Sequence, residues 1–177
     1  MSLIYITGIA GAGKSAVCDE LVRRGYEAHE ADNTLSNFYV NATGEIASST
    51  TPAERTAEWR EHHSWQMSKD KLLALKKTAA SKPVFVCGVA ANEEEYLDVF
   101  DKIFALTVDT ETLVHRITTR DIGDFGKSEH EMKSLLEWQN MTEDGYKKIG
   151  AQVIDATRPL ATVVDEIIAN TSIGRLP

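Results

Sequence analysis

Cysteine is nearly absent from this chain. Its 177 residues include two, Cys18 and Cys87, and Cys87 lies inside an apolar run. Two cysteines give no disulfide framework, so the expectation is a pair of reduced, structural thiols in a reducing compartment. Also missing is any apolar run approaching the roughly 20 residues that cross a bilayer. No basic segment leading into an apolar stretch opens the sequence. The resulting expectation is a cytoplasmic protein with no membrane partner. Positive charge is in short supply as well: the net charge is −8. That balance speaks against a nucleic-acid partner, which needs a basic patch, although one local basic pocket for phosphates is compatible with it. No repeat, low-complexity tract or linker interrupts the chain, and residues 1–177 are read as one domain.

What is present alternates between two patterns. Segments of strand length lie at Ser2 to Thr7, Tyr26 to Ala31, Pro83 to Cys87, Lys102 to Val108 and Ala151 to Ile154, and Pro83 to Cys87 is a continuous apolar run. Helical spacing fills the intervals: Ala16 to Arg23, Thr110 to Arg120, Ser128 to about Lys148 and Pro159 to Ala169. Thr51-Pro52-Ala53-Glu54 and Ser128-Glu129-His130-Glu131 are capping boxes. The first predicts a helix running from Thr51 to Lys77, with a break near Ser64. Asn92 and Glu95 are read as caps of a short helix. Strands alternating with helices, each strand apolar throughout, imply an α/β fold with a parallel sheet covered on both faces. Ligands of such folds bind beyond the carboxyl ends of the strands. Asp32, Gly88, Asp109 and Asp155 all fall at predicted strand ends and should share that rim.

Gly8-Ile9-Ala10-Gly11-Ala12-Gly13-Lys14-Ser15 matches G-x-x-x-x-G-K-[ST] completely. Glycines let successive backbone N–H groups turn inward onto phosphate oxygens. The helix that follows presents its unsatisfied N–H groups and positive dipole end to the same anion. Lys14 is assigned to the β- and γ-phosphates and Ser15 to Mg²⁺. Gly8, Gly11, Ala12, Gly13, Lys14, Ser15 and Ala16 are therefore the candidate nucleotide-binding residues, with ATP and Mg²⁺ the implied cofactors.

This loop, with the order of elements after it, resembles the nucleoside- and shikimate-kinase-like branch of P-loop kinases. The resemblance implies a P-loop NTPase three-layer fold with a five-stranded parallel sheet in the order 2-3-1-4-5. It also implies an acceptor-binding helical region, set at 33–79, and a lid, set at 121–128. Thr110 to Arg120 is similar to the family's helix before the lid, which carries arginines four apart, here Arg116 and Arg120. Each has two readings: entry into a rim cleft to neutralise a transferring phosphoryl group, or a solvated surface position. Asp155-Ala156-Thr157-Arg158-Pro159-Leu160 is similar to the loop whose backbone packs on adenine. Arg158 there either stacks on the base or is exposed beside a helix start. Asp121-Ile122-Gly123-Asp124-Phe125-Gly126-Lys127 reads as a short lid, but Asp124 and Lys127 stand where many relatives carry arginines.

Phosphoryl transfer to a hydroxyl needs positioning, charge neutralisation and a proton acceptor. Asp32 is the candidate base, acting directly or through a Mg²⁺-bound water; the alternative is a residue that only begins a turn. Cys87 occupies the place where many P-loop proteins carry a metal-organising aspartate, and a neutral thiol is a poor Mg²⁺ ligand. The resemblance to shikimate-type kinases, which have a glycine-rich turn there, brings Gly88 into the acceptor set. Arg55, Trp59 and His63 complete that set, with Trp59, His63 and Gln66 sharing a face if helical; packing is the competing reading for each. His62-His63 is not a metal signal. A phosphate-bearing acceptor would want arginines, and only Arg55 and Arg60 are on offer. The favoured reading is an ATP-dependent kinase acting on a hydroxyl of a small molecule (nucleoside, sugar or cyclic acid). A nucleoside monophosphate kinase and a non-kinase P-loop NTPase acting as a regulator are the alternatives.

Overall fold

The computed structural model describes residues 2–48, 51, 54–121 and 125–171. Its strands, in chain order, are β1 (Leu3–Thr7), β2 (Glu27–Glu30), β3 (Ser36–Val40), β4 (His63–Met67), β5 (Val84–Cys87), β6 (Lys102–Thr107) and β7 (Gln152–Asp155). The helices are α1 (Lys14–Arg23), α2 (Ala31–Thr34), α3 (Ala57–His62), α4 (Lys69–Thr78), α5 (Thr110–Thr119), α6 (Glu129–Lys148) and α7 (Leu160–Asn170). A 3₁₀ helix covers Glu93–Val99.

Alternation along the strands sorts side chains onto two faces. Ile4, Ile6, Phe85, Cys87, Phe104 and Leu106 join one core, closed by Val17 and Leu21 of α1, Leu113 and Ile117 of α5 and four residues of α7. Leu3, Tyr5, Val84, Val86, Ile103 and Ala105 join the other, closed by Leu72 of α4, Tyr96, Phe100 and Tyr146. In β1, β5 and β6 neither face meets water, which is why these strands read as apolar runs, whereas the edge strand β2 is half-buried and polar. On α7 the buried residues are Val163, Val164, Ile167 and Ile168. Their spacing makes one stripe, and each full burial contributes roughly 1.5–3 kcal/mol.

The parallel sheet has five strands, in the order β2-β5-β1-β6-β7. Over all seven strands the order is thus 2-5-1-6-7 and not the expected 2-3-1-4-5, which holds only when the five parallel strands are counted by themselves. Between β2 and β5 the chain contains two further strands, β3 and β4, which pair antiparallel with each other and stay out of the main sheet. They also overturn the helix expected from Thr51 to Lys77, because β4 lies in the middle of that span. Cross-strand partners Phe38–Trp65 and Val40–His63 are aromatic and β-branched, the pairs that favour a pleated surface. Region 33–79 is thus a strand pair flanked by helices, rather than helical.

The first capping box is half realised. Glu54 Oε2 accepts from the Thr51 N–H at 2.7 Å, but the helix starts later, where Thr56 accepts from the Trp59 N–H. Pro52 and Ala53 lie outside the described residues. The second box forms as read, with Ser128 accepting from the Glu131 N–H and opening α6. Asn92 has no capping bond. Its side chain accepts from the Met67 N–H at 2.9 Å and donates to the Met67 carbonyl at 3.1 Å, tying β4 to the 3₁₀ helix. Among the described residues no helix is long and apolar enough to cross a membrane.

Candidate active site

β1 ends at Thr7, the chain curls through Gly8 to Gly13, and α1 begins at Lys14. At Gly8 the backbone takes φ 147°, and a Cβ would meet the Leu106 carbonyl oxygen at 2.7 Å. Only glycine lets the loop leave the strand this close to β6. Gly13 precedes α1 with no side-chain cap, so among the described residues no side chain caps the first-turn N–H groups of this ten-residue helix. That is the arrangement a phosphate needs.

Lys14 follows directly. Its Nζ donates to the carbonyls of Gly8 at 2.6 Å and Ile9 at 3.0 Å, arching over the loop. Burial pulls its pKa down to about 8, while the charges of Asp32 and Glu93 oppose that fall and Arg120 adds to it. The fields of these three groups reach the ammonium. Ser15 is the next residue and is exposed at the cradle.

Beside the loop lies a cleft of about 240 Å³ with apolar walls from Ala12, Ala16, Val17, Ala156, Leu160 and Val163. Arg116 and Arg158 also line it. Arg116 donates to the Ala12 carbonyl at 3.1 Å and the Ala156 carbonyl at 2.8 Å, clamping the glycine loop to the turn after β7. Its guanidinium thus holds the cleft wall together. Arg158 donates to the Asp155 carbonyl at 3.0 Å and to Glu166 at 2.5 Å, which fixes it along the start of α7. Arg120 falls just outside α5, which ends at Thr119 rather than Arg120, and donates to the Phe125 carbonyl. Arg116 and Arg120, paired in the sequence reading, serve different places. Of the lid segment, Ile122, Gly123 and Asp124 lie outside the described residues.

Asp32 does not end a strand. β2 stops at Glu30, and Asp32 sits in the single-turn α2. Two contacts place it. Gly88 allows α2 to approach, since a Cβ there would stand 2.4 Å from the Ala31 Cβ. The Trp65 Nε1–H donates to Asp32 Oδ1 at 3.0 Å. The acceptor candidates also converge, though not as a helical face. His63 and Gln66 belong to β4. Trp59 stacks on His63 at 3.9 Å between ring centres, Phe38 meets Trp59 and Trp65 edge-on, and Arg55 lies 4.8 Å over Phe38. Of the other two rim aspartates, Asp109 caps α5 by accepting from the Thr112 N–H, and Asp155 accepts from the Thr157 N–H in the turn after β7.

One residue of the site was missed in the sequence. Glu93 is the first of three consecutive glutamates, and it alone turns inward, its Oε2 accepting from Tyr5 OH at 2.7 Å and Thr7 Oγ1 at 3.1 Å. Burial raises its pKa. The only signal available was the Glu93-Glu94-Glu95 run after β5, which could not say which carboxylate faces the cradle.

The oxygen donors at the cradle suit a hard cation: the Ser15 hydroxyl and nearby carboxylates. Among the described residues no group of three His, Cys, Asp or Glu could hold a metal alone. Such a site fits Mg²⁺ that arrives on a nucleotide, whose phosphates bring most of the ligands. Cys87 takes no part, because its hydrogen bond with Cys18 and its burial push the thiol up and keep it neutral.

A family model described as AAA domain matches residues 4–136. Comparison with curated proteins finds no match. Among solved structures, the chain is similar to a shikimate kinase from Acinetobacter baumannii in complex with shikimate. There the TM-score is 0.58 and the identity 20%, with 98% of this chain and 96% of that one covered. A deoxyadenosine kinase from M. mycoides with bound dATP gives 0.57 at 16% identity, covering 98% and 100%. A sugar kinase from Janibacter sp. HTCC2649 gives 0.54 at 17%, covering 98% and 95%. At these identities the likeness is one of fold: an α/β P-loop kinase-like architecture with a five-stranded parallel sheet.

Proposed function

The chain belongs to the AAA domain family, and from that premise and the geometry around Lys14 we propose an ATP-dependent kinase that transfers the γ-phosphate to a hydroxyl of a small molecule. The observation that carries the reading is the convergence on one ammonium. Lys14 arches over the glycine loop while the Asp32 carboxylate, held by Trp65, and Arg120 act on it from the rim. A motor or switch has no need of an acidic group aimed by an aromatic cluster at the mouth of its phosphate cradle.

In this mechanism the apolar cleft takes the base, and Arg116 keeps its two walls in register. The first-turn N–H groups of α1 and Lys14 neutralise the phosphate oxygens. Asp32 accepts the proton of the attacking hydroxyl, whose oxygen forms the new bond to the γ-phosphorus as the bond to the β-phosphate oxygen breaks. Ser15, with Asp32 through water, would hold Mg²⁺, which would supply charge neutralisation to the phosphates. Arg120 stabilises charge on the transferring group, and its bond to the Phe125 carbonyl couples it to the lid, 121–128. The acceptor lies against Asp32, Gly88, Arg55, Trp59 and His63, within region 33–79.

Hydroxyl acceptors such as nucleosides, sugars or cyclic acids are favoured over phosphorylated ones. Arg55 lies over Phe38, and Arg60 reaches Glu131 at 3.7 Å, so neither guanidinium is presented alone to a phosphate. The whole of 1–177 acts as one catalytic domain, a cytoplasmic enzyme whose partner is a small molecule rather than nucleic acid or membrane.

Incubating the protein with a metabolite pool and labelled ATP tests the proposal. Label should pass to one class of hydroxyl compound, and Lys14→Ala should abolish the transfer. ATP binding with no transfer across a broad panel, or steady hydrolysis indifferent to every acceptor, would overturn it.

A further inference from the structure

Strand β5 ends in a neutral thiol at the position where a metal-organising carboxylate would serve the cradle. The fold places another carboxylate beside it. Glu93 enters from the 3₁₀ helix that follows β5 and reaches back to β1, where Thr7 is the last residue before Gly8. Tyr5 OH and Thr7 Oγ1 both donate to Oε2, and a backbone hydrogen bond from Ala90 adds to the hold on the carboxylate. The support behind it is rigid. Tyr5 is fully buried and stacks on Phe100 with 4.6 Å between ring centres. Asn92, also buried, locks the neighbouring residue to both backbone groups of Met67. The Ala91 N–H donates to the Trp65 carbonyl at 2.7 Å, so the strand that aims Asp32 also anchors the approach to Glu93. Donors pinned by the fold fix the direction of this carboxylate, whose two oxygens keep lone pairs to spare, and that describes an oriented acceptor.

We propose that Glu93 is the metal-organising carboxylate of this site, accepting a hydrogen bond from a water of nucleotide-bound Mg²⁺, in place of the acidic group that β5 lacks. The inference rests on the nucleotide-binding reading above. Glu93 is a positioning residue: it orients a water and touches no reacting atom. Asp32 keeps the acceptor's proton, which divides the work between two carboxylates whose charges both reach Lys14.

The test is calorimetric binding of the β,γ-imido analogue of ATP, with Mg²⁺ and separately with EDTA, to the full chain. For the wild type, Mg²⁺ should tighten binding. Glu93→Gln should weaken the Mg²⁺-bound complex by about tenfold, the low end of what losing an outer-sphere partner costs a metal. Its affinity in EDTA should not fall. Glu94→Gln, one residue along and exposed, should behave as wild type. Tyr5→Phe keeps the carboxylate but removes one of the donors that aim it, and should move the Mg²⁺ effect in the same direction by less. Thermal unfolding of each variant checks that the fold is kept, and if Glu93→Gln does not fold, Tyr5→Phe decides. Unchanged Mg²⁺ dependence in these variants overturns the inference, as does a wild type that binds nucleotide without any Mg²⁺ effect. A wild type that binds no nucleotide in either buffer sinks the proposed function instead.

Discussion

Gly88 is the position where adding one methyl group tests how the site is built. A Cβ there would stand 2.4 Å from the Ala31 Cβ, whereas ordinary contact begins near 3.4 Å. In Gly88→Ala, β5 and α2 must therefore separate by about 1 Å, and overpacking of this kind costs about 1–3 kcal/mol. The Gly88 N–H is bonded to the Ile6 carbonyl at 3.0 Å within the central sheet, and Ala31 is fully buried. The shorter, single-turn α2 should yield first, carrying Asp32 with it. For a chain of this size the thermal midpoint should fall by roughly 2–4 °C for each kcal/mol lost. Displacing a proton acceptor by that distance lowers phosphoryl transfer by about a hundredfold. Urea unfolding and a kinetic assay with the identified acceptor measure the two effects. The double variant Ala31→Gly/Gly88→Ala removes the opposing methyl and should recover most of both, a coupling that a double-mutant cycle reads directly. Full stability and turnover in Gly88→Ala would refute the claim that this contact places Asp32. So would a double variant no better than the single.

Three further outcomes follow from the same geometry. Burial lowers the Lys14 pKa from 10.5 to about 8, so between pH 8 and 10.5 the unfolded chain holds a proton that the folded one has released. Stability should rise with pH across that window, and ATP binding should weaken there as the cradle loses its charge. Lys14→Met should remove the stability trend, which urea titrations at several pH values would show. Trp65→Phe keeps the ring packing but deletes the donor to Asp32 Oδ1. At roughly 1 kcal/mol for one hydrogen bond, kcat/KM should drop about fivefold with nucleotide affinity unchanged. Arg116→Lys cannot span the Ala12 and Ala156 carbonyls as the guanidinium does. Nucleotide affinity should fall nearly as far as in Arg116→Ala, measured by calorimetry.

Local signals were legible wherever a few adjacent residues decide the outcome. The box at Ser128 opened α6 because Ser128 and Glu131 need only each other. The box at Thr51 has the same letters, and Glu54 does reach Thr51, yet the helix waits for Thr56. Beyond it, Trp59, His63 and Gln66 have helical spacing that their strand neighbours override: Phe38 pairs with Trp65, Tyr39 with Ser64 and Val40 with His63. Those partners lie more than twenty residues away in sequence, where periodicity carries no information about pairing.

By itself the sequence determined the glycine loop and the kind of sheet that supports it. Gly8 to Ser15 specifies a backbone path that few other residues could follow, and apolar runs between helices leave no solvent face to the central strands. The tertiary structure alone decided which side chains share the rim. Asp32 belongs there because Gly88 and Trp65 hold α2 in place. Arg116 became a clamp because two carbonyls lie within its fork. Glu93 emerged from three identical letters because Tyr5 and Thr7, nearly ninety residues earlier, bind one of them. Each depends on a contact between distant segments, and the chain must close before any of them exists.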